Sequence, residues 1–418
     1  MSGKYKGMQR KVLEVNNLAI YVPCAAHSLN LVGRSAVDCC LEAVKFFGTV
    51  QNIYTFFAAS THRWKVLTDH LSNEKVVKDL SDTRWEAHSA ATEAIKKSFG
   101  KLLEALECLA DDDTQKGETR QEAEGLINRM QELEFAIMLV FWEEILQQFS
   151  RVSKAVQKVD VNLKACADLY ASLVDFIDTA RSNFTRYENE ALELVPGSEY
   201  RAVHSRQRRR KSMPNDGNAK EAALNPRDKF RTASFYVIID KLRSEMEKRM
   251  KIYQEIADRF SFLIDYDLSE ASDSKDISEL RNCCQKLSDI YPGDLSRDWF
   301  TEFEQFKFYI RHKFSGLSKD SVSHAEIYRI IIDDNLECVF PNVETSLRIF
   351  LSLMVTNCST ERSFSQLKHI KDPNRSTMGQ GRLDSLSLFK IHPDLVRKID
   401  LEKVSREFAV KKSRKKFM

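Results

Sequence analysis

Apolar residues recur every three or four positions over most of this chain. Leu126, Met130, Leu133, Ile137, Phe141, Ile145 and Phe149 form one such stripe, and Val152, Val156, Val159, Leu163, Leu169, Leu173 and Ile177 continue it with small slips in phase. That period is the 3.6-residue repeat of amphipathic helices, whose apolar faces require partners. No proline lies between Pro23 and Pro196, so nothing there forbids a helix interior. The polar stretch Asp111–Gly117 predicts a break between two of these helices. One segment has strand character. Leu18-Ala-Ile-Tyr-Val22 is short, β-branched and aromatic, with Asn16-Asn17 before it and Pro23 after it. Such a strand is expected only where neighbours pair its backbone groups.

Residues 196–229 carry Pro196, Pro214, Pro226, Gly197 and Gly217 and few large apolar residues, so they read as a linker. Helical pattern resumes near Phe230 and runs through Phe235–Met246, and the acidic, Ser-rich residues 267–278 predict a second loop. Pro341 suits the first turn of a helix carrying Leu347-Arg-Ile-Phe-Leu351. Asn357-Cys-Ser-Thr360 then offers caps for a helix starting near Glu361, and a last helix is expected from Arg382 to Ile391, before Pro393. The tail from Lys411 is basic and expected to fray.

Composition changes this picture little. The 418 residues suffice for two or more domains, and 64 Lys+Arg against 61 Asp+Glu leave a net charge of +3, which does not announce a nucleic-acid binder. Nine cysteines, including the adjacent pairs Cys39-Cys40 and Cys283-Cys284, show no disulfide-framework spacing and suit a reducing compartment. No apolar run approaches the roughly 18–20 residues of a membrane span, and no signal peptide opens the chain, so a soluble intracellular protein without a membrane partner is expected.

Four features carry candidate chemistry. Glu361 follows Ser359 and Thr360, where a carboxylate in the first helical turn is ordinary dipole grammar. Cys24-x-x-His27 supplies two zinc-type ligands, but a structural zinc site takes four; Cys39, Cys40 and His62 are the nearest others, at no known finger spacing. Trp85, in Asp82-Thr-Arg84-Trp85, is either a base-stacking platform or a half-buried core aromatic near Ala91 and Ile95. The run Arg206-Gln-Arg208-Arg209-Arg210-Lys211 reads as a nuclear import signal, a phosphate-binding patch or a solvated linker.

Several of these elements together resemble the hAT superfamily of transposases. Ser359-Thr-Glu361-Arg-Ser-Phe-Ser365 is similar to the family's Ser/Ala-x-Glu-Arg-x-Phe-Ser segment, and Phe340-Pro-Asn342, Leu347-Arg-Ile-Phe-Leu351 and Arg375-Ser-Thr-Met378 follow the family order. Cys24-x-x-His27 and Asp82-Thr-Arg-Trp85 resemble two further elements. Met1-Ser2-Gly3 resembles the end of a Tyr-Asp-Gly-containing stretch of zinc-finger MYM-type relatives. Asp372-Pro373-Asn374 and Gln380-Gly381 depart from the family pattern.

The resemblance implies a mainly α protein. A remnant of an RNase H-like α/β domain, with one strand and C-terminal helices, would be interrupted by a large all-helical insertion. Residues 1–35 would form part of the remnant, 36–335 the insertion with its linker near 196–229, 336–400 the C-terminal dimerisation region completing the remnant, and 401–418 a basic tail. In active relatives three carboxylates hold two divalent ions roughly 3.5–4 Å apart for strand cleavage. Glu361 would be the last of these acids, and no aspartate precedes Asp38 to supply the other two. The start methionine then looks like an internal residue of the family. The expected protein is transposase-derived and catalytically incomplete, with Glu361 vestigial. It would have no metal or other cofactor of its own, although a full-length active relative would use magnesium. Cys24 and His27 would be structural. The protein would self-associate through Leu347, Phe350, Leu351, Phe364 and Leu367, with residual DNA contact through Arg84, Trp85 and Arg208–Lys211. It would take no small-molecule substrate and would sit in the nucleus, or alternatively the cytoplasm. The rivals are a fragment of an active hAT transposase and a helical scaffold that never meets DNA.

Overall fold

The structure is a computed structural model that describes residues 7–72, 74–80, 85–158, 163–201, 225–263, 274–313, 323–372, 375 and 377–410. Two compact units divide the chain, residues 1–355 and 356–418. The first unit begins with α1 (Met8–Val15), α2 (Ala25–Val37), α3 (Leu41–Ala58), α4 (Thr61–Leu71), α5 (Trp85–Lys97), α6 (Phe99–Asp111) and α7 (Gly117–Met130). It continues with α8 (Leu133–Val156), α9 (Leu163–Ser182), α10 (Phe184–Leu194), α11 (Pro226–Phe230) and α12 (Tyr236–Phe260), and ends with α13 (Ser274–Ile290), α14 (Phe300–Lys313), α15 (His324–Asp333) and α16 (Pro341–Leu351). The second unit holds α17 (Cys358–Ile370), α18 (Gln380–Ile391), α19 (Pro393–Val396) and α20 (Leu401–Val410).

The helical periodicity is realised closely. Leu126, Met130, Leu133, Ile137, Phe141, Ile145 and Phe149 are all buried. They do not lie on one helix. Gln131 ends α7 and Glu132 turns extended (φ −71°, ψ 132°) before α8 begins. The break after Asp111 falls where the polar stretch places it. A π-helical turn, Arg231–Phe235, joins α11 to α12 without interruption. The loop expected over 267–278 overlaps α13, which is already helical from Ser274.

Leu18–Val22 does not form a strand, and no strand occurs among the described residues. The segment instead begins in a turn, where the Leu18 and Ala19 N–H groups donate to the Asn16 side chain (3.0 Å) and carbonyl (3.2 Å), and no neighbouring strand among the described residues is there to pair the rest. The mainly helical expectation holds. The strand at the centre of the expected α/β remnant is corrected.

The first unit is organised around α8. Its N-terminal half is apolar on every side, with Leu133 and every residue from Phe135 to Trp142 buried, and α2, α3, α5, α7, α9 and α10 pack against it. Each fully buried large side chain contributes about 1.5–3 kcal/mol relative to exposure. α9 and α12 pair along their lengths, and α12 also carries α2. Arg181 of α9 donates to Asp240 of α12 at 2.8 Å. Farther along the chain, Trp299, Phe303 and Phe262 form a second aromatic cluster, in which the Trp299 indole N–H donates to the Cys284 carbonyl (3.1 Å).

Both flanks of the 196–229 linker are tied to one carboxylate. Glu188 accepts from the Tyr200 hydroxyl on one side (2.5 Å) and from the Arg227 guanidinium on the other (2.6 Å at each oxygen). Arg227 and Tyr200 together hold the Glu188 carboxyl below its ordinary range, against the opposing effect of burial. Asn225 caps α11 through the Asp228 N–H, and Pro226 occupies the first turn.

Candidate functional site

The C-terminal motifs are built by two kinds of contact. In the first unit, Phe340 is buried against Phe306 with ring centroids 5.1 Å apart. Pro341 opens α16, so the next N–H groups lack intrahelical acceptors. Glu302 of α14 accepts from the backbone N–H groups of Asn342 (2.7 Å) and Val343 (2.9 Å) and from the Asn342 side chain (2.5 Å). The Asn342 side-chain oxygen in turn accepts from the Ser296 N–H (2.8 Å). Phe340-Pro-Asn342 is thus a helix start capped from a distant helix. Glu302 is a structural partner that no local spacing reveals. Ser323 and Glu326 form a reciprocal capping box at the start of α15.

Leu347 and Phe350, expected at a dimer surface, are 0% and 6% exposed and belong to the first unit's own core. Phe350 lies beside Phe260 (5.3 Å) and His324 (4.0 Å). Their side chains are therefore committed within the chain. Leu351 is exposed, Leu367 is half-buried, and Phe364 is 64% exposed.

In the second unit, α17 starts at Cys358 rather than near Glu361, because Asn357 already accepts the first intrahelical bond, from the Glu361 N–H at 3.0 Å. Glu361 stands in the first turn, exposed. Among the described residues no group of three or more His, Cys, Asp or Glu is placed to hold a metal ion. Among its described residues the unit buries few apolar side chains: Cys358, Ile370 and Leu383. Against these three, ten large apolar residues are exposed: Phe364 on α17, Leu388, Phe389 and Ile391 on α18, and Leu395, Ile399, Leu401, Val404, Phe408 and Val410 beyond it.

The Cys24-x-x-His27 element has a structural setting. Cys24 is half-buried and precedes α2, and His27 is exposed. Two phenols from distant helices fix the backbone around Cys24. Tyr170 of α9 donates to the Ala25 carbonyl (2.7 Å), and Tyr253 of α12 donates to the Pro23 carbonyl (2.9 Å) while lying 3.1 Å from the Ser28 hydroxyl. The Ala25 N–H donates to the Val355 carbonyl (2.9 Å). The two tyrosine rings meet edge-on at 5.1 Å, and burial pushes both hydroxyls above their ordinary range. The helix turns the His27 side chain to solvent.

Trp85 opens α5 and meets the same α2. An added Cβ on Gly33 would lie 2.5 Å from the Trp85 ring, so the absence of a side chain at Gly33 permits the approach. The Trp85 ring stacks on His88 (4.3 Å) and runs nearly parallel to Trp142 (6.4 Å), with Phe47 edge-on at 5.9 Å. The structure thereby joins two elements that lie far apart in sequence. Trp85 is half-buried, with a ring face occupied by His88. Asp82, Arg84, Arg208, Arg209, Arg210, Lys211, the Met1-Ser2-Gly3 segment, Pro373 and the tail from Lys411 lie outside the described residues.

With this geometry in place, residues 326–390 match the family model of the hAT family C-terminal dimerisation region. The matched stretch begins in α15 and ends in α18. It supports a relationship to hAT-family transposases and a capacity for self-association through this region. No helix among the described residues is long and apolar enough to cross a membrane.

Proposed function

We propose that this chain is a transposase-derived protein whose working activity is self-association through its C-terminal region, without strand cleavage by its own residues. The observation that carries the reading is the uncovered apolar surface of α17 and α18, inside the stretch that matches a dimerisation region. Phe364, Leu388, Phe389 and Ile391 are the anchors: removing apolar surface from water is the dominant favourable term in most protein–protein association. The full chain is expected to sediment as a dimer at micromolar concentration. Phe364→Glu with Leu388→Glu should convert it to monomer, because each change places a charge in a desolvated contact. An unchanged dimer would place the interface elsewhere; a wild-type monomer would end the reading.

Catalytic incompleteness rests on the chemistry of the acids. Two-metal cleavage needs several carboxylates at one point, and Glu361 has no such companions among the described residues. Supercoiled DNA incubated with this chain and magnesium or manganese is expected to stay unnicked. Nicking that disappears in Glu361→Gln would instead make Glu361 a working catalytic acid. Nuclear residence and DNA contact remain part of the same reading, supported by the basic composition of residues 206–211. Trp85 supports it less, because its neighbours hold it in the fold.

A further inference from the structure

We propose that the Cys39-Cys40 pair, in the turn between α2 and α3, is a thiolation site: Cys40 exchanges with a low-molecular-weight disulfide and keeps the mixed disulfide, with Cys39 as its positioning thiol. The site is independent of the self-association reading above. Adjacency alone does not make it, because the chain holds two such pairs. Cys283 and Cys284 lie inside α13, where successive side chains point about 100° apart. Burial pushes both of those thiols up. Cys39 and Cys40 lie outside any helix. α2 ends at Val37, and Cys40 is extended (φ −150°, ψ 156°) at the N-cap of α3. There the two side chains meet, and the Cys39 thiol donates to the Cys40 sulfur. Both residues are free and half-buried, so neither is sealed from solvent.

The first N–H groups of a helix lack intrahelical acceptors and carry the positive end of its dipole. Cys40 stands at that end of α3. The Cys39 thiol, and then the Ala43 and Glu42 N–H groups, hold the Cys40 thiol below its ordinary range, against burial and the Glu42 carboxylate. No side-chain hydrogen bond caps α3, so those N–H groups act on the sulfur at longer range. Cys39 is pushed up by its bond to Cys40 and by burial, against the pull of Lys241 on α12. The pair thus holds one proton, on Cys39, and one charge, on Cys40.

The thiolate is the form that attacks a disulfide. The Cys40 sulfur attacks one sulfur of R–S–S–R. The Cys40–S–S–R bond forms as the reagent's own S–S bond breaks, and the electron pair leaves with RS⁻, which takes a proton from water. Cys40 is oxidised and the departing half of the reagent is reduced. The exchange stops there. Cys39 keeps its proton and is a poor attacker of the mixed disulfide. Adjacent Cα atoms are about 3.8 Å apart, short of the roughly 4.4–6.8 Å of ordinary disulfides, so a Cys39–Cys40 bond would be strained.

The test exposes the reduced full chain to glutathione disulfide and locates the adduct by tandem mass spectrometry. At pH 6.5 an ordinary thiol is about 1% thiolate. Cys40 is expected to react about five-fold faster there than the exposed Cys108 and Cys338, its larger thiolate fraction being partly offset by lower nucleophilicity. Its lead should vanish by about pH 9, where ordinary thiols ionise too. Cys39→Ala should slow Cys40 several-fold at pH 6.5, and Cys39→Ser, which restores a donor, should recover the rate. Faster modification of Cys108 or Cys338 at pH 6.5, an adduct on Cys39, or a Cys39–Cys40 disulfide in place of the adduct would each overturn the site. A Cys40 rate unchanged in Cys39→Ala would overturn the positioning role of Cys39.

Discussion

Trp142→Ala is expected to lower the stability of the first unit by about 3–5 kcal/mol, the cost of removing a large aromatic from a core that relaxes only in part. Trp142 is fully buried at the crossing of α8 with α3 and α5, with Phe47 at 5.0 Å, Phe141 at 5.4 Å and Trp85 at 6.4 Å. Natural domains hold only about 5–15 kcal/mol in total, so the loss takes a large share of the margin. Trp142→Phe should cost much less. The indole N–H is buried without a hydrogen-bond acceptor among the described residues, and phenylalanine removes that unsatisfied donor along with part of the volume. Urea denaturation followed by circular dichroism distinguishes the two variants. Equal, small effects for both would mean that this aromatic layer is not packed as described.

Acid should unfold the first unit through His324. Its ring is 4% exposed, lies 4.0 Å from Phe350, and is held near a pKa of about 4 by burial, against a weaker opposing contribution from the Phe260 backbone. The ordinary value is about 6.5. The folded pKa is the lower one, so on acidification the unfolded chain takes up the proton first. The neutral ring therefore costs nothing above about pH 6.5, and stability falls progressively between about 6.5 and 4, by about 3 kcal/mol in all. Unfolding midpoints measured across that window should slope with pH in the wild-type chain. His324→Leu removes the titrating group, and its slope should be shallower by close to one proton. Parallel slopes would show that His324 does not titrate in this way.

The helices were legible because their apolar periods are long and regular: the stripe from Leu126 to Phe149 is buried throughout. The turn that divides that stripe at Gln131 and Glu132 was not, since neither residue is a breaker and the phase hardly shifts. Leu18–Val22 shows the limit of strand reading. Its residues favour extended backbone, but a strand is a relation between segments, and no partner segment is present among the described residues. Of the dimerisation candidates, Leu347 and Phe364 look alike as apolar residues on helices. Only packing assigns one to the chain's own core and leaves the other in solvent. The phenols of Tyr170 and Tyr253 that secure Pro23 and Ala25 are 145 and 230 residues away from them, beyond any local pattern.

Tyr200 and Arg227 are anchored to the same Glu188 carboxylate, on the two sides of the linker. α9 and α12 lie on either side of it and hold each other directly, with Arg181 and Asp240 bridging them. The frame thus does not depend on the length of the connection. Doubling that length costs only about 0.6 kcal/mol in closure entropy. A cut there leaves two pieces already joined by their helices. Insertions or added charge between Tyr200 and Arg227 are therefore expected to leave the pairing of α9 and α12 unchanged.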